Sequence, residues 1–153
     1  MNKTQIGKQE IIHFIGIGGI GMSGLAQIMK TMGFNVQGSD ISINKNTDNC
    51  KKIGIKILKG HFKKNILNAK IIVKSSAIKK NNIELFYSKK KNIPSYDRIE
   101  MLANIIDLKK NIIITGSHGK TTTTSLVAKI ISTAKLDPTI INGGVINSLK
   151  NNA

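Results

Sequence analysis

Two glycine-punctuated turns carry the chemistry that can be read from the chain. One is Gly116-Ser117-His118-Gly119-Lys120-Thr121-Thr122, preceded by an apolar run at 112–114 and followed by helix-forming residues from 120 to 134. Strand, glycine turn and helix start together make an anion site, because the first N–H groups of a helix lack internal partners and carry partial positive charge. Gly116 and Gly119 allow the backbone to curl around phosphate oxygens, and Lys120 adds a full charge. Thr121 or Thr122 supplies a hydroxyl able to ligate Mg2+. The common phosphate loop has four residues between its first glycine and Gly-Lys-Ser/Thr, and Ile114 occupies that first position here. The loop is therefore a shortened form that begins at Gly116.

The other turn is Gly16-Ile17-Gly18-Gly19-Ile20-Gly21-Met22-Ser23, a G-x-G-x-x-G pattern between an apolar strand and a helix. Asp40 follows it by roughly 20 residues, the spacing at which an acidic side chain can reach a ribose hydroxyl. One glycine loop alone is a weak signal. Two in one chain suggest two phosphorylated ligands handled side by side, one recognised and one cleaved.

These turns need elements to position them. Strands are expected at 11–17, 35–39, 55–58, 71–73, 112–114 and 140–141, with a short one near 92–94. Helices are expected at 21–32, 47–53, 83–91, 96–106 and 120–134, with Gly33 stopping the first and 142–144 a turn. The alternation predicts an α/β chain: a Rossmann-like parallel sheet domain over 1–107, then the start of a P-loop ATPase α/β domain over 108–153, with 107–110 as linker. In such sheets ligands sit beyond the C-terminal strand ends, so Gly16–Ser23, Ser39-Asp40, Gly60-His61 and Ser75-Ser76-Ala77 should line one crevice.

Composition narrows the function class. Aromatics are only 4% and Trp is absent, so Ile, Leu and Val must build the core. No apolar run approaches the ~20 residues of a membrane span, and the polar opening does not resemble a signal peptide. The single cysteine, Cys50, cannot form an internal disulfide, which suits a reducing cytoplasm. The net charge of +16 invites a nucleic-acid reading. Its lysines are scattered pairs without interleaved aromatics, and enrichment in Ile, Lys and Asn together points to A/T-rich coding, so a solvated face explains them better. Three dispersed histidines and one cysteine give no zinc-site spacing.

Five motifs in order resemble the Mur ligase family, specifically its alanine-adding branch. They are His13–Gly24, Gly38-Ser39-Asp40, Val73–Ile78, Arg98–Leu102 and Gly116–Thr124, with Asn142-Gly143-Gly144 after them. Ser117 stands where Thr is more usual, and Asn81-Asn82-Ile83-Glu84 where Asn-Pro-Glu is usual. The resemblance implies three domains, of which this chain holds the first and the beginning of the second, so the chain alone is expected to be inactive. It implies ATP-dependent ligation of L-alanine to UDP-N-acetylmuramate through an acyl phosphate, in cytoplasmic peptidoglycan synthesis. The tripeptide-recycling Mur ligases are similar but usually depart from this first glycine loop. A NAD-dependent Rossmann oxidoreductase accounts for Gly16–Gly21 and Asp40 but leaves the second loop idle.

The resemblance also implies roles. Lys120 contacts the β/γ-phosphates, Thr121 or Thr122 holds Mg2+, and the N–H groups of Gly116, Ser117, His118, Gly119 and Lys120 cradle phosphate. His118 either contacts substrate or holds the loop. Gly18, Gly19, Gly21, Met22 and Ser23 approach the diphosphate, with Asp40, Ser75, Ser76 and Ala77 around the uridine end. His61 either touches the uridine or closes its turn, and His13 is a packing residue at the strand start.

Overall fold

The structure is a computed structural model that describes residues 7–142 and 145–148. Its first region alternates strands and helices: β1 (Ile11–Ile15), α1 (Ile20–Thr31), β2 (Asn35–Asp40), α2 (Lys45–Lys52), β3 (Lys56–Lys59), a 3-10 turn (Lys63–Ile66), β4 (Ala69–Lys74), α3 (Ile83–Lys90), β5 (Ser95–Asp97) and α4 (Arg98–Ile106). The five strands form one parallel sheet in the order β3-β2-β1-β4-β5. The chain winds outward from β1 to β3 and then crosses back to β4. This reversal opens a crevice at the C-terminal ends of β1 and β4, where α/β sheets bind their ligands.

Burial on both faces explains why β1 reads as an unbroken apolar run. Ile12 and Phe14 point to one face, with Ile71 and Val73 of β4, and pack under Leu25 and Met29 of α1, Cys50 of α2, and Met101 and Ile105 of α4. Ile15 and Ile72 point to the other, against Ile66 and Leu85. Alternation at a period of two thus serves two cores.

Element ends follow local chemistry. α2 starts two residues earlier than expected, because Asn44 and Thr47 form a reciprocal capping box. Helix α4 starts at Arg98 rather than residue 96, with Asp97 and Glu100 as its box, and β5 lies at Ser95–Asp97 rather than 92–94. Gly33, in a left-handed conformation (φ 88°), follows the end of α1 as expected.

The second region departs further. Helix α5 (Lys120–Thr133) forms where expected, and β6 (Thr139–Asn142) follows. β6 pairs antiparallel with β7 (Val145–Ser148), a strand the pattern did not suggest. The expected turn at 142–144 includes Gly143 and Gly144, which lie outside the described residues. The expected buried strand at 112–114 is not a strand: Ile112 and Ile113 are 65% and 70% exposed. A strand needs a ladder neighbour, and among the described residues none lies alongside it. α5 is likewise mostly exposed, with Ala128 its buried residue.

Candidate functional site

The first glycine loop is clamped before any ligand is considered. After Ile15 the chain turns at Gly16, and the N–H groups of Gly16 and Ile17 both donate to the Ser39 carbonyl, at 2.8 and 3.1 Å. The Gly18 N–H donates to Asp40 Oδ2 at 2.8 Å. The Gly18 carbonyl accepts from Asn44 Nδ2 at 3.2 Å and Asn46 Nδ2 at 2.8 Å. A side chain is disfavoured here, since an added Cβ would stand 2.8 Å from Asp40 Oδ2 and 2.9 Å from Asn44 Nδ2 and would displace both. Asp40 also accepts from the Ser42 N–H through Oδ1 at 3.0 Å, and the residue is 9% exposed. Its carboxylate therefore anchors the loop, and the ribose contact expected of it has strong internal competition.

The same clamp leaves a defined set of donors. Gly19 N–H donates to the Gly16 carbonyl and Ser23 N–H to the Gly19 carbonyl. Among the described residues the N–H groups of Ile20, Gly21 and Met22, the first turn of α1, have no partner. Met22 and Ser23 do not present side chains to the crevice: Met22 is in the core, and the Ser23 hydroxyl donates to the Ile20 carbonyl at 3.0 Å. Met22 can contribute only its N–H, and Ser23 closes the turn.

Arg98 completes this corner, a residue whose part in the site no local pattern marks. An added Cβ on Gly21 would lie 3.0 Å from Arg98 Nη1, which places the guanidinium against the loop. Arg98 is partly buried and has no hydrogen bond or ion pair among the described residues. Its position follows from the capping box that starts α4 at this residue. The available signal was the motif around Arg98, but nothing local ties it to a glycine so distant in sequence.

Across the crevice, Ser75 follows β4 beside Gly16, and its hydroxyl accepts from the Ala77 N–H at 3.3 Å. Ser76 and Ala77 are exposed on this turn. His61, beyond β3, turns its Nδ1 inward to Ser39 Oγ and Glu84 Oε2, each at 3.0 Å. Glu84 is fully buried. Burial pushes its carboxyl up, but nearby His13 and hydrogen bonds from Ser39 and Asn65 outweigh this and hold it below the ordinary carboxylate value. His13 is fully buried in β1, as a packing residue would be, yet its Nε2 has no hydrogen-bond partner.

The second loop is open to solvent from Thr115 to Thr123. Gly119 caps α5 in a left-handed conformation (φ 74°) that a side chain would strain. Among the described residues the N–H groups of Lys120, Thr121 and Thr122 are unpartnered, since the first bond of the turn runs from Thr123 N–H to the Gly119 carbonyl. Lys120 Nζ folds back onto the carbonyls of Gly116 at 2.6 Å and Ser117 at 3.1 Å. The hydroxyls of Thr121 and Thr122 and the ring of His118 have no partner among the described residues. A hard, oxygen-seeking cation suits such a hydroxyl better than it suits nitrogen or sulfur donors, and no cluster of three or more His, Cys, Asp or Glu offers a rival site among the described residues.

Fold and site define a class: an α/β protein with a Rossmann-type crevice and a second, P-loop-like helix start. Residues 11–110 match the family described as "Mur ligase family, catalytic domain". The chain belongs to the Mur ligase family. It is 66% identical over 151 residues to the UDP-N-acetylmuramate–L-alanine ligase of Pelagibacter ubique, covering 99% of this chain and 32% of that one. A crystal structure of UDP-N-acetylmuramate-alanine ligase from Thermotoga maritima matches with a TM-score of 0.75 at 33% identity, covering 86% of this chain and 31% of that one. A UDP-N-acetylmuramate:L-alanyl-gamma-D-glutamyl-meso-diaminopimelate ligase from Neisseria meningitides matches with a TM-score of 0.77 at 28% identity, covering 92% and 46%. The chain thus spans about a third of the curated relative's length. Among the described residues no helix is long and apolar enough to cross a membrane.

Proposed function

We propose that residues 1–107 bind a UDP-sugar and residues 108–153 open the ATP-binding domain of a cytoplasmic UDP-N-acetylmuramate–L-alanine ligase. The observation that carries this is the pair of helix starts, α1 and α5, each behind a glycine turn and each with three N–H groups free of partners among the described residues. At α1, the N–H groups of Ile20, Gly21 and Met22 and the Arg98 guanidinium would receive the diphosphate. At α5, the N–H groups of Lys120, Thr121 and Thr122 would receive the ATP phosphates.

The chemistry follows from the acid being a poor electrophile. Transfer of the γ-phosphoryl group to the muramate carboxylate gives an acyl phosphate and ADP. The alanine amine then attacks the acyl carbon, loses a proton and expels phosphate, leaving an amide. This chain's part is positioning and charge neutralisation. Lys120 exchanges its carbonyl partners for the β/γ-phosphates, and His118, in the same loop, either contacts the substrate or holds the loop. Thr121 or Thr122 would hold Mg2+, which supplies charge neutralisation at the phosphates.

The clamp on Asp40 weighs against an NAD-dependent reading, since the carboxylate that would receive a ribose is already engaged. The higher identity to an alanine ligase favours that branch over tripeptide ligases. Calorimetric titration with UDP-N-acetylmuramate and with NADH is the test. The UDP-sugar should bind and NADH should not; the reverse outcome refutes the proposal. In a full-length ligase, Lys120→Ala should lose ligation, and unchanged turnover would refute the second loop's role.

A further inference from the structure

The face of the sheet opposite α1 holds a polar cluster that the phosphate sites do not use. His13, Ser39, Asn65 and Glu84 are buried there, and Gln37 and His61 close it. Glu84, in the first turn of α3, is its hub. Oε1 accepts from Asn65 Nδ2 at 2.6 Å, and Oε2 accepts from Ser39 Oγ at 2.6 Å. A fully buried carboxylate is costly, and an apolar side chain of like size is often the more stable choice.

The hydrogen-bond inventory fixes both histidines. A carboxylate only accepts, so His61 Nδ1, 3.0 Å from Glu84 Oε2, must carry the proton. The Ser39 hydrogen goes to Glu84, so Ser39 Oγ can accept from the same Nδ1–H. On the far side Gln37 Nε2 donates to the Asn65 carbonyl at 2.8 Å and lies 3.2 Å from His13 Nδ1. His13 then holds its proton on Nε2, 3.6 Å from the same carboxylate oxygen. The two rings face one charge in opposite tautomers.

His61 is the ring that reaches outward. Its side chain is 15% exposed while its Nδ1 faces two fully buried groups, so the open edge is the one bearing Nε2. That atom has no partner among the described residues, and the buried orphan nitrogen is that of His13 instead. The loop carrying it follows β3 at the C-terminal end of the sheet.

We propose that Glu84 is a positioning residue: it holds His61 as the Nδ1–H tautomer, so that Nε2 meets a ligand O–H or N–H as an acceptor at the strand ends. The ligand half of this rests on the sugar-nucleotide reading above. The donor is either a ribose hydroxyl or the imide N–H of uracil.

The 15N-labelled 153-residue chain, at a pH where imidazole is neutral, should give a His61 long-range spectrum with a protonated Nδ1 and a bare Nε2. A protonated Nε2 overturns the proposal. Glu84→Gln should change the tautomer ratio and weaken UDP binding together. Should that variant not fold, His61→Asn keeps a donor toward Glu84 but lacks the outer acceptor, and its UDP affinity should fall about tenfold. N3-methyl-UDP separates the sources: if His61→Asn no longer matters with it, the imide is the donor, and if it still matters, a hydroxyl is. Wild-type chain that binds no UDP overturns the sugar-nucleotide reading and the ligand half with it. Wild-type binding that His61→Asn leaves within twofold overturns the ligand contact through Nε2, while the sugar-nucleotide reading stands.

Discussion

Replacing Arg98 with alanine should separate phosphate recognition from folding. The guanidinium lies against Gly21 at the free N–H groups of α1 and has no internal partner among the described residues. Its removal should therefore cost little stability, under about 1 kcal/mol. Alanine is also a good helix former, and losing a cation at a helix start relieves a small dipole conflict. Binding should respond differently. A charge-assisted Arg–phosphate contact contributes roughly 1.5–3 kcal/mol, which corresponds to an affinity loss of about 10- to 100-fold. Calorimetry with uridine, UMP and UDP provides the internal control. UDP should lose most, and uridine should be indifferent because it carries no phosphate. Arg98→Lys should recover part of the loss, since an ammonium keeps the charge without the planar fork. UDP affinity within twofold of wild type, or equal losses for uridine and UDP, would refute the assignment of Arg98 to the diphosphate.

Three other expectations follow from the geometry. Gly18→Ala must displace Asp40 and Asn44, so thermal unfolding should register a loss of roughly 1–3 kcal/mol together with weaker UDP binding. Burial pushes the Cys50 thiol up to about 11, so a thiol reagent at pH 8 should label the chain only after denaturation. Glu84 has a folded-state pKa below its unfolded value of 4.5, so its contribution is present above that value and is lost as pH falls through the folded one. Circular dichroism should therefore show acid destabilisation beginning below about pH 4.5, with a shallower dependence in Glu84→Gln.

What could be read from residue order was local. Strand, glycine turn and helix start are contiguous at the first loop, and glycine turn and helix start at the second; the caps Asn44–Thr47 and Asp97–Glu100 are just as local, although the expected starts at 47 and 96 overlooked them. What escaped depends on distant partners. Arg98 meets Gly21, Glu84 meets Ser39 and His61, and Asp40 turns back to Gly18, all through the sheet's register rather than through spacing. The run at 112–114 failed for the converse reason. Its apolar pattern is that of a buried strand, but burial requires neighbours, and among the described residues none covers it. Ser23 looked like a ligand contact by motif, yet its hydroxyl is used within its own turn.

That bare isoleucine run has a practical consequence for handling the chain. Among the described residues nothing covers its backbone groups or the exposed side chains of Ile112 and Ile113, so the run can serve as a template onto which a second molecule adds. Mutual repulsion at +16 opposes such encounters in dilute buffer, and added electrolyte removes that protection. Purification at high ionic strength should therefore promote clumping, while low salt keeps molecules apart.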